Sequence, residues 1–447
     1  MLKRMAVGLV AMVLVVAAVG IGLVTASRMR APTAEQQAAL DLLESPSPAQ
    51  GSNAFPALLL MPYDVPADRV EALALAESQR FNRTPVGAGF ELRVPYPDLA
   101  VGSEQPANCS WRDSGCLHKV RQHRDAYAAR LQRQAPLLQR ARSLGQHGHY
   151  RTLMDQRIDT DFPRFQVLTA ATTHHALQFV DGDVESALTG VCGDVQAWRR
   201  LAPTADNLLT SMIGSAAIQG SSQLFAEMLE SLPAEHPLPP SCATAFVAPA
   251  ASELSLCEAM RGEAVMSRSI SSAGWAEQEQ SMTPLQRAWG GVVYDQHKTE
   301  ARLAPAYAWP CTSQARDMVA RDVPALREAT PGSRWNFECV GNMAGCILAD
   351  IAIPAYRKYP QRMQDTGAMV RAVGTLLWMR ERRAAGDARP VAELLGTQPE
   401  ALKSATRPLR LVEEGSMLQV DRFDDTSGKT FQLPLPASVR ESPAPAR

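Results

Sequence analysis

The chain is 447 residues long, carries a formal net charge of −1 and contains eight cysteines. With no concentrated basic face, it is not built for nucleic acid or an anionic lipid surface as its main partner. Lysine occurs only at positions 3, 119, 298, 358, 403 and 429, so nearly all positive charge is arginine; with the abundant alanine, that bias fits a GC-rich coding genome at least as well as any chemistry.

No charge interrupts the chain from Met5 to Ser27. At about 1.5 Å per helical residue the run reaches about 34 Å, enough to cross a hydrocarbon core of roughly 30 Å. Lys3 and Arg4 precede it and Arg28 and Arg30 follow it, so neighbouring charge sets no orientation. The run reads as a signal-anchor (residues 1–30), its short basic end cytoplasmic and everything downstream on the other side of the membrane. Val24 and Ala26 would suit cleavage after Ala26, but the run exceeds the roughly 7–15 apolar residues of a cleaved signal peptide. A buried core helix fits less well, because nothing polar interrupts any face.

Residues 31–52 form a linker: a short helix over Ala34 to Leu43, then SPSPAQGS, a Pro/Ser/Gly tether that lets the domain stand off the membrane. A first helical domain spans 53–232. Its opening run, Asn53 to Tyr63, is a buried strand or a short core segment, which periodicity does not separate. Asp64 to Phe81 reads as a helix capped by Asp68. Residues 82–116 read as an irregular loop, and Leu117 to Leu144 as a long polar helix broken or kinked at Pro136. Helices follow over Phe165 to Phe179, Gly182 to Leu201 with Asp183 as cap, and Thr204 to Leu232. They resemble stacked antiparallel helices without a solenoid period. The four prolines of PAEHPLPPSC (233–242) mark the best internal break.

A second helical domain spans 243–436. It holds a helix around Ala250 to Met266, short pieces and turns over 281–345, an apolar run Ile347 to Ile353, and a long helix from Tyr356 to Arg383. Leu409 to Val420 and Lys429 to Leu435 are strand-like and joined by DRFDDTSGK, which gives a closing β-hairpin. Residues 437–447 read as a disordered tail.

An even cysteine count behind an export signal points to disulfides in an oxidising compartment. Cys109 with Cys116 and Cys339 with Cys346 share one spacing, bracketed by turn formers, and are the disulfide candidates. Cys192, Cys242, Cys257 and Cys311 allow three pairings, or Cys192 is a buried thiol.

His147 and His149, followed by Asp155, Asp159 and Asp161, form the densest set of metal-ligand types. No helical framework fixes them, so they stand as weak candidates beside a solvated loop. His174 and His175 sit in an apolar helix, where a hydrogen-bonded structural role fits best. The carboxylates at 421, 424 and 425 lack calcium-loop spacing. Cys116 beside His118 is a thiol given over to a bridge. The arginines at 121, 124, 130, 133, 140 and 142 read as a solvated face. No nucleophile elbow, phosphate loop or dinucleotide fingerprint occurs, so no cofactor is expected.

The succession CVGNMAGCILADIAIPAYRKYPQRMQD and MVRAVGTLLWMRERR (within 339–383) resembles a motif of an uncharacterised family of N-terminally anchored bacterial envelope proteins. NAFPALLLMPYDVP and LCEAMRGE (256–263) are similar to other parts of that group. It has no assigned activity, so the resemblance implies an envelope location and carries over no catalytic residue. The expectation is a mainly α, antiparallel helical stack with a small C-terminal β-hairpin, preceded by one transmembrane helix. Its expected role is non-catalytic binding or scaffolding with an envelope protein partner. The alternative is an envelope hydrolase, metal-dependent or not, with a site gathered from distant segments.

Overall fold

The computed structural model describes residues 2–99, 105–327, 336–426 and 428–440. α1 (Leu2–Met29) is one continuous helix, and its stretch Arg4–Met29 is long and apolar enough to cross a membrane. None of its most apolar window is buried against the rest of the chain. Thr33 starts α2 (Ala34–Leu43) through a capping box: its hydroxyl accepts the Gln36 N–H while the Gln36 side chain accepts the Thr33 N–H. The apolar run 53–63, left open between strand and core segment, folds as α3 (Phe55–Leu59). α4 (Val70–Arg83) follows a turn at 67–69, so Asp68 lies outside the helix and caps nothing.

The long polar helix expected over 117–144 is three helices, α5 (Cys116–Gln122), α6 (Arg124–Arg133) and α7 (Ala135–Ser143). Pro136 explains the second break, since its ring would meet the carbonyl of residue 132 in a continuous helix. In the first turn of α7 its missing N–H has no cost. α8 (Thr169–Val180), α9 (Val184–Leu201) and α10 (Leu208–Glu230) then stack on one another. Asp183 caps α9 as expected, and the Asn207 side chain caps α10 by accepting the Thr210 N–H at 2.8 Å.

The proline-rich stretch 233–242 leads into α11 (Pro240–Ala245). After it come α12 (Cys257–Ser281), α13 (Pro284–Val293), α14 (Gln296–Ala308), α15 (Ser313–Ala320), α16 (Met343–Tyr356), α17 (Tyr359–Ala384) and α18 (Val391–Gly396). The larger hydrophobic core takes side chains from both sides of the proline stretch, among them Phe81, Leu188 and Phe225 before it and Phe246, Val373 and Leu433 after it. A second core gathers Leu208, Met260, Leu303, Tyr307, Trp309 and Met363.

The expected hairpin is a three-stranded antiparallel meander of β1 (Arg410–Val412), β2 (Met417–Asp421) and β3 (Thr430–Pro434), with Leu418 opposite both Leu411 and Leu433. The run 409–420 read as one strand because its break is conformational. Glu413, Glu414 and Gly415 take φ of 51°, 55° and 86° and turn the chain back on itself. The start of the expected disordered tail is a final turn, α19 (Ala437–Arg440), with Val439 buried against the core; residues 441–447 lie outside the described residues.

The segment 31–52 is not a free tether. α2 lies along α14 with Ala39 buried, the Ser47 N–H donates to Glu258 at 3.1 Å, and the Ser52 carbonyl accepts the Gly148 N–H at 3.0 Å. Prolines at 46 and 48 remove backbone donors, so the strip is held through its remaining amides, carbonyls and side chains.

α17 is the spine. It is buried on nearly every face, including polar side chains that an isolated helix would present to water. Several of these hold a neighbouring segment. Gln364 donates to the Val323 carbonyl and accepts the Ala325 N–H; Thr366 meets Ser215 and Gln219 of α10; Arg380 donates to the carbonyls of Pro233 and His236. Asp365 accepts the amides of Phe423 and Asp424 in the β2–β3 loop. Arg407, 1% exposed, lies between Asp365 (2.6 Å) and Asp322 (2.7 Å), and Arg371 meets Asp322 at 2.6 Å. Burial alone raises both carboxyls. At Asp322 the Arg407 and Arg371 guanidiniums reverse the shift and hold it below the ordinary range, whereas at Asp365 burial prevails.

Removing one member of such a set strands the others without compensation. Arg407→Met is therefore expected to lower the unfolding free energy of the detergent-solubilised chain by about 3–5 kcal/mol in urea melts. Lys403→Met, at an exposed pair with Glu400, is expected to change it by less than about 1 kcal/mol. Equal small effects would contradict the spine.

Candidate functional site

The metal-ligand candidates do not converge. His147 Nδ1 lies 3.0 Å from the Ser52 hydroxyl and His149 Nδ1 3.1 Å from the Gln50 carbonyl, so both imidazoles pin the strip before α3. Asp159 pairs with Arg157 at 2.9 Å and accepts the Gly87 N–H at 2.9 Å. Asp161 is half-buried, and burial raises its carboxyl. Among the described residues no three His, Cys, Asp or Glu side chains come together around a common point.

The other singled-out residues are engaged structurally as well. His175 is buried against Asp194 and Gln178, while burial brings the His174 imidazole down to about 4 beside Arg142. In the β2–β3 loop, Asp424 meets Arg362 at 2.6 Å and Asp425 meets Lys358 at 2.8 Å, and at the end of β2 Asp421 meets Arg410. The arginine-rich stretch is not uniformly solvated: Arg130 is buried against Asn108, and Arg140 reaches Asp64 and the Val65 carbonyl.

All eight cysteines are paired. Cys109–Cys116 and Cys339–Cys346 are local, as their spacing suggested. Cys192–Cys242 joins α9 to α11 and Cys257–Cys311 joins α12 to the turn after α14, closing separations of 50 and 54 residues. Such a set points to an oxidising compartment.

Sequence reasoning missed an acidic cluster around the N-terminus of α10, where unpaired backbone donors favour carboxylates. Glu263 of α12 accepts the Leu208 N–H at 3.2 Å and the Tyr356 hydroxyl at 3.2 Å. Asp206 accepts the Thr152 N–H at 2.9 Å. Burial pushes Glu263, Tyr307 and Tyr356 up, and raises Asp206 to about 6 against the opposing Thr152 amide and Arg151 charge. Only contact across three distant segments creates this environment, so no local motif announces it. The cleft beside it, lined by Met260, Trp309, Ile353, Tyr356 and Arg357, has a volume of about 30 Å³. That holds a water, far from the several hundred Å³ of a small-molecule pocket.

A larger groove of about 520 Å³ runs between α2 and the Trp309–Met318 segment, lined by Ala38, Leu42, Pro305, Trp309, Met318 and Leu326. Arg327 reaches across it to Glu35 at 2.9 Å. Its mixed lining offers apolar area with a charged edge.

The junction between α1 and the body completes the picture. Ser27, 1% exposed, donates to the Glu338 carbonyl at 3.2 Å and accepts the Gly341 N–H at 3.1 Å. Arg28 donates to the carbonyls of Gly341, Tyr294 and Gly291. Glycine at 341 permits a close approach: a Cβ there would stand 2.9 Å from Arg28 Cγ and 3.1 Å from the Val24 carbonyl oxygen. Below the junction, Gln36 donates to Glu338 at 2.8 Å, and Lys298 meets the Arg30 carbonyl.

No protein-family model, curated protein or solved structure matches the chain.

The perturbed Asp206 gives a pH signature. Its folded carboxyl is raised above the unfolded value, so between about pH 4 and 6 the native state holds a proton that the unfolded chain has lost. The group's contribution to stability therefore falls as pH rises through that window. Asp206→Asn, which keeps an acceptor for Thr152, is expected to stabilise the chain at pH 7.5 by about 1–2 kcal/mol and to flatten its melting temperature between about pH 4 and 6. An unchanged pH profile with lower stability would show that Asp206 is ionised in the fold.

Proposed function

We propose that this chain is an inner-membrane protein of the bacterial envelope whose disulfide-bonded domain lies on the periplasmic side and has a non-catalytic binding or scaffolding role. The observation that carries the reading is the junction: an apolar helix of spanning length is hydrogen-bonded directly into a body with four disulfides. Disulfides persist on the oxidising side of a membrane, which favours the periplasmic orientation. The binding role is supported by how the chemistry-bearing side chains are used. Histidines 147, 149 and 175 and the loop carboxylates hold hydroxyl, backbone or ion partners, while the groove beside α2 presents apolar area with a charged edge. Its partner would be another envelope protein.

In cells, with thiols trapped during lysis and a photo-crosslinking residue at the exposed Ala38, the full chain is expected to carry no alkylatable cysteine and to give one discrete heavier adduct. Reduced cysteines would contradict the compartment. Hydrolytic turnover by the purified chain, with no adduct, would contradict the binding role.

A further inference from the structure

α16 is an apolar helix with one charge. Between Val340 and Tyr356 the sole ionisable acid or base is Asp350, which turns to Arg302 of α14 at 2.8 Å. Its inner face packs closely: a Cβ at Gly345 would lie 1.9 Å from Thr299 Oγ1, and Cys346 and Ala349 are buried. Its outer face carries Met343 (57% exposed), Ile347 (44%), Leu348 (51%) and Ile351 (69%), recurring at helical spacing, and Phe337 and Val340 continue it. A single exposed apolar side chain needs no explanation. A contiguous set of this kind marks an interaction surface.

The junction says what covers it. Ser27 ends the uncharged run, and its hydroxyl is bonded to residues 338 and 341, while Gly341 backs onto the carbonyl of Val24, about one helical turn further into the run. If α1 spans a bilayer, residues 337–343 stand at the boundary between hydrocarbon and headgroups. α16 begins there and ends at Tyr356, Arg357 and Lys358, residue types that settle where an apolar segment returns to water. α1 itself leaves the patch uncovered.

We propose that the outer face of α16, with Phe337 and Val340, is seated in the lipid interface of the membrane that α1 spans, as an in-plane helix that holds the domain against the bilayer. The proposal rests on the reading of α1 as a membrane-spanning anchor. The seating is apolar and needs no excess positive charge, in keeping with the net charge of −1.

The full chain, its four disulfides intact, is reconstituted in phosphatidylethanolamine–phosphatidylglycerol vesicles with one added cysteine bearing a fluorophore, at Val15, Ile351 or Gln132. Nitroxide lipids quenching near the headgroup or near the chain ends report depth. The expected result is several-fold stronger quenching at Ile351 by the shallow nitroxide than by the deep one, the reverse order at Val15, and no quenching at the exposed Gln132 of α6. Quenching at Val15 with none at Ile351 would overturn the proposal and leave the anchor standing. Should the Ile351 label then show concentration-dependent self-quenching, a second copy of the chain covers the face. Absence of quenching at Val15 would overturn the anchor, and the proposal with it.

Discussion

Ser27 and Arg28 bring the last turn of an apolar helix into hydrogen-bonding register with the chain at 291–294 and 338–341, and that register constrains the rest of the molecule. Backbone carbonyls near an apolar environment are costly to leave unpaired, and here a guanidinium and a hydroxyl from the helix end supply their partners. The same region is tied again through Gln36 with Glu338 and through Asn342 with Thr299 and the Asp295 N–H. Helix, linker and body therefore meet as one unit rather than as an anchor, a tether and a cargo.

The body has a complementary organisation. α17 buries Gln364, Asp365, Thr366, Arg371, Arg380 and Arg383, and each reaches a neighbouring loop or helix. A helix with an apolar surface all round would tolerate several rotations about its axis. One whose polar groups must meet particular carbonyls and carboxylates does not. In the low-dielectric interior the cost of mispairing Arg407, Asp322 and Asp365 is large, so the network specifies the arrangement more than it stabilises it.

What the sequence disclosed follows from range. α1 was legible because twenty-three successive uncharged residues leave no alternative periodicity, and α9 because a cap precedes an amphipathic stripe. The local bridges at 109–116 and 339–346 followed from turn chemistry, while the pairings of Cys192 with Cys242 and Cys257 with Cys311 depend on which helices stack. α17 was recognisable as a helix, but its periodicity says nothing of what Asp365 and Arg371 meet. Their partners at 322 and 407 are distant in sequence, so their burial was not visible. The prolines of 46 and 48 suggested a loose tether because composition reports what a strip cannot form by itself, not what a neighbouring surface such as Glu258 and Gly148 holds in place. The acids at the start of α10 escaped notice for the same reason: Glu263 and Asp206 are ordinary surface residue types until α12 packs against the start of α10.

The central claim is that the apolar helix and the disulfide-bonded body form one rigid unit. Distance measurement by pulsed electron spin resonance, with nitroxides at Val16 of α1 and Glu381 of α17 in the reconstituted full chain, addresses it most directly. A junction held by Ser27, Arg28 and Gly341 predicts a single narrow distance distribution that broadens when Gly341 is replaced by leucine. A broad distribution in the unsubstituted chain would show a body swinging on a tether and would contradict the account.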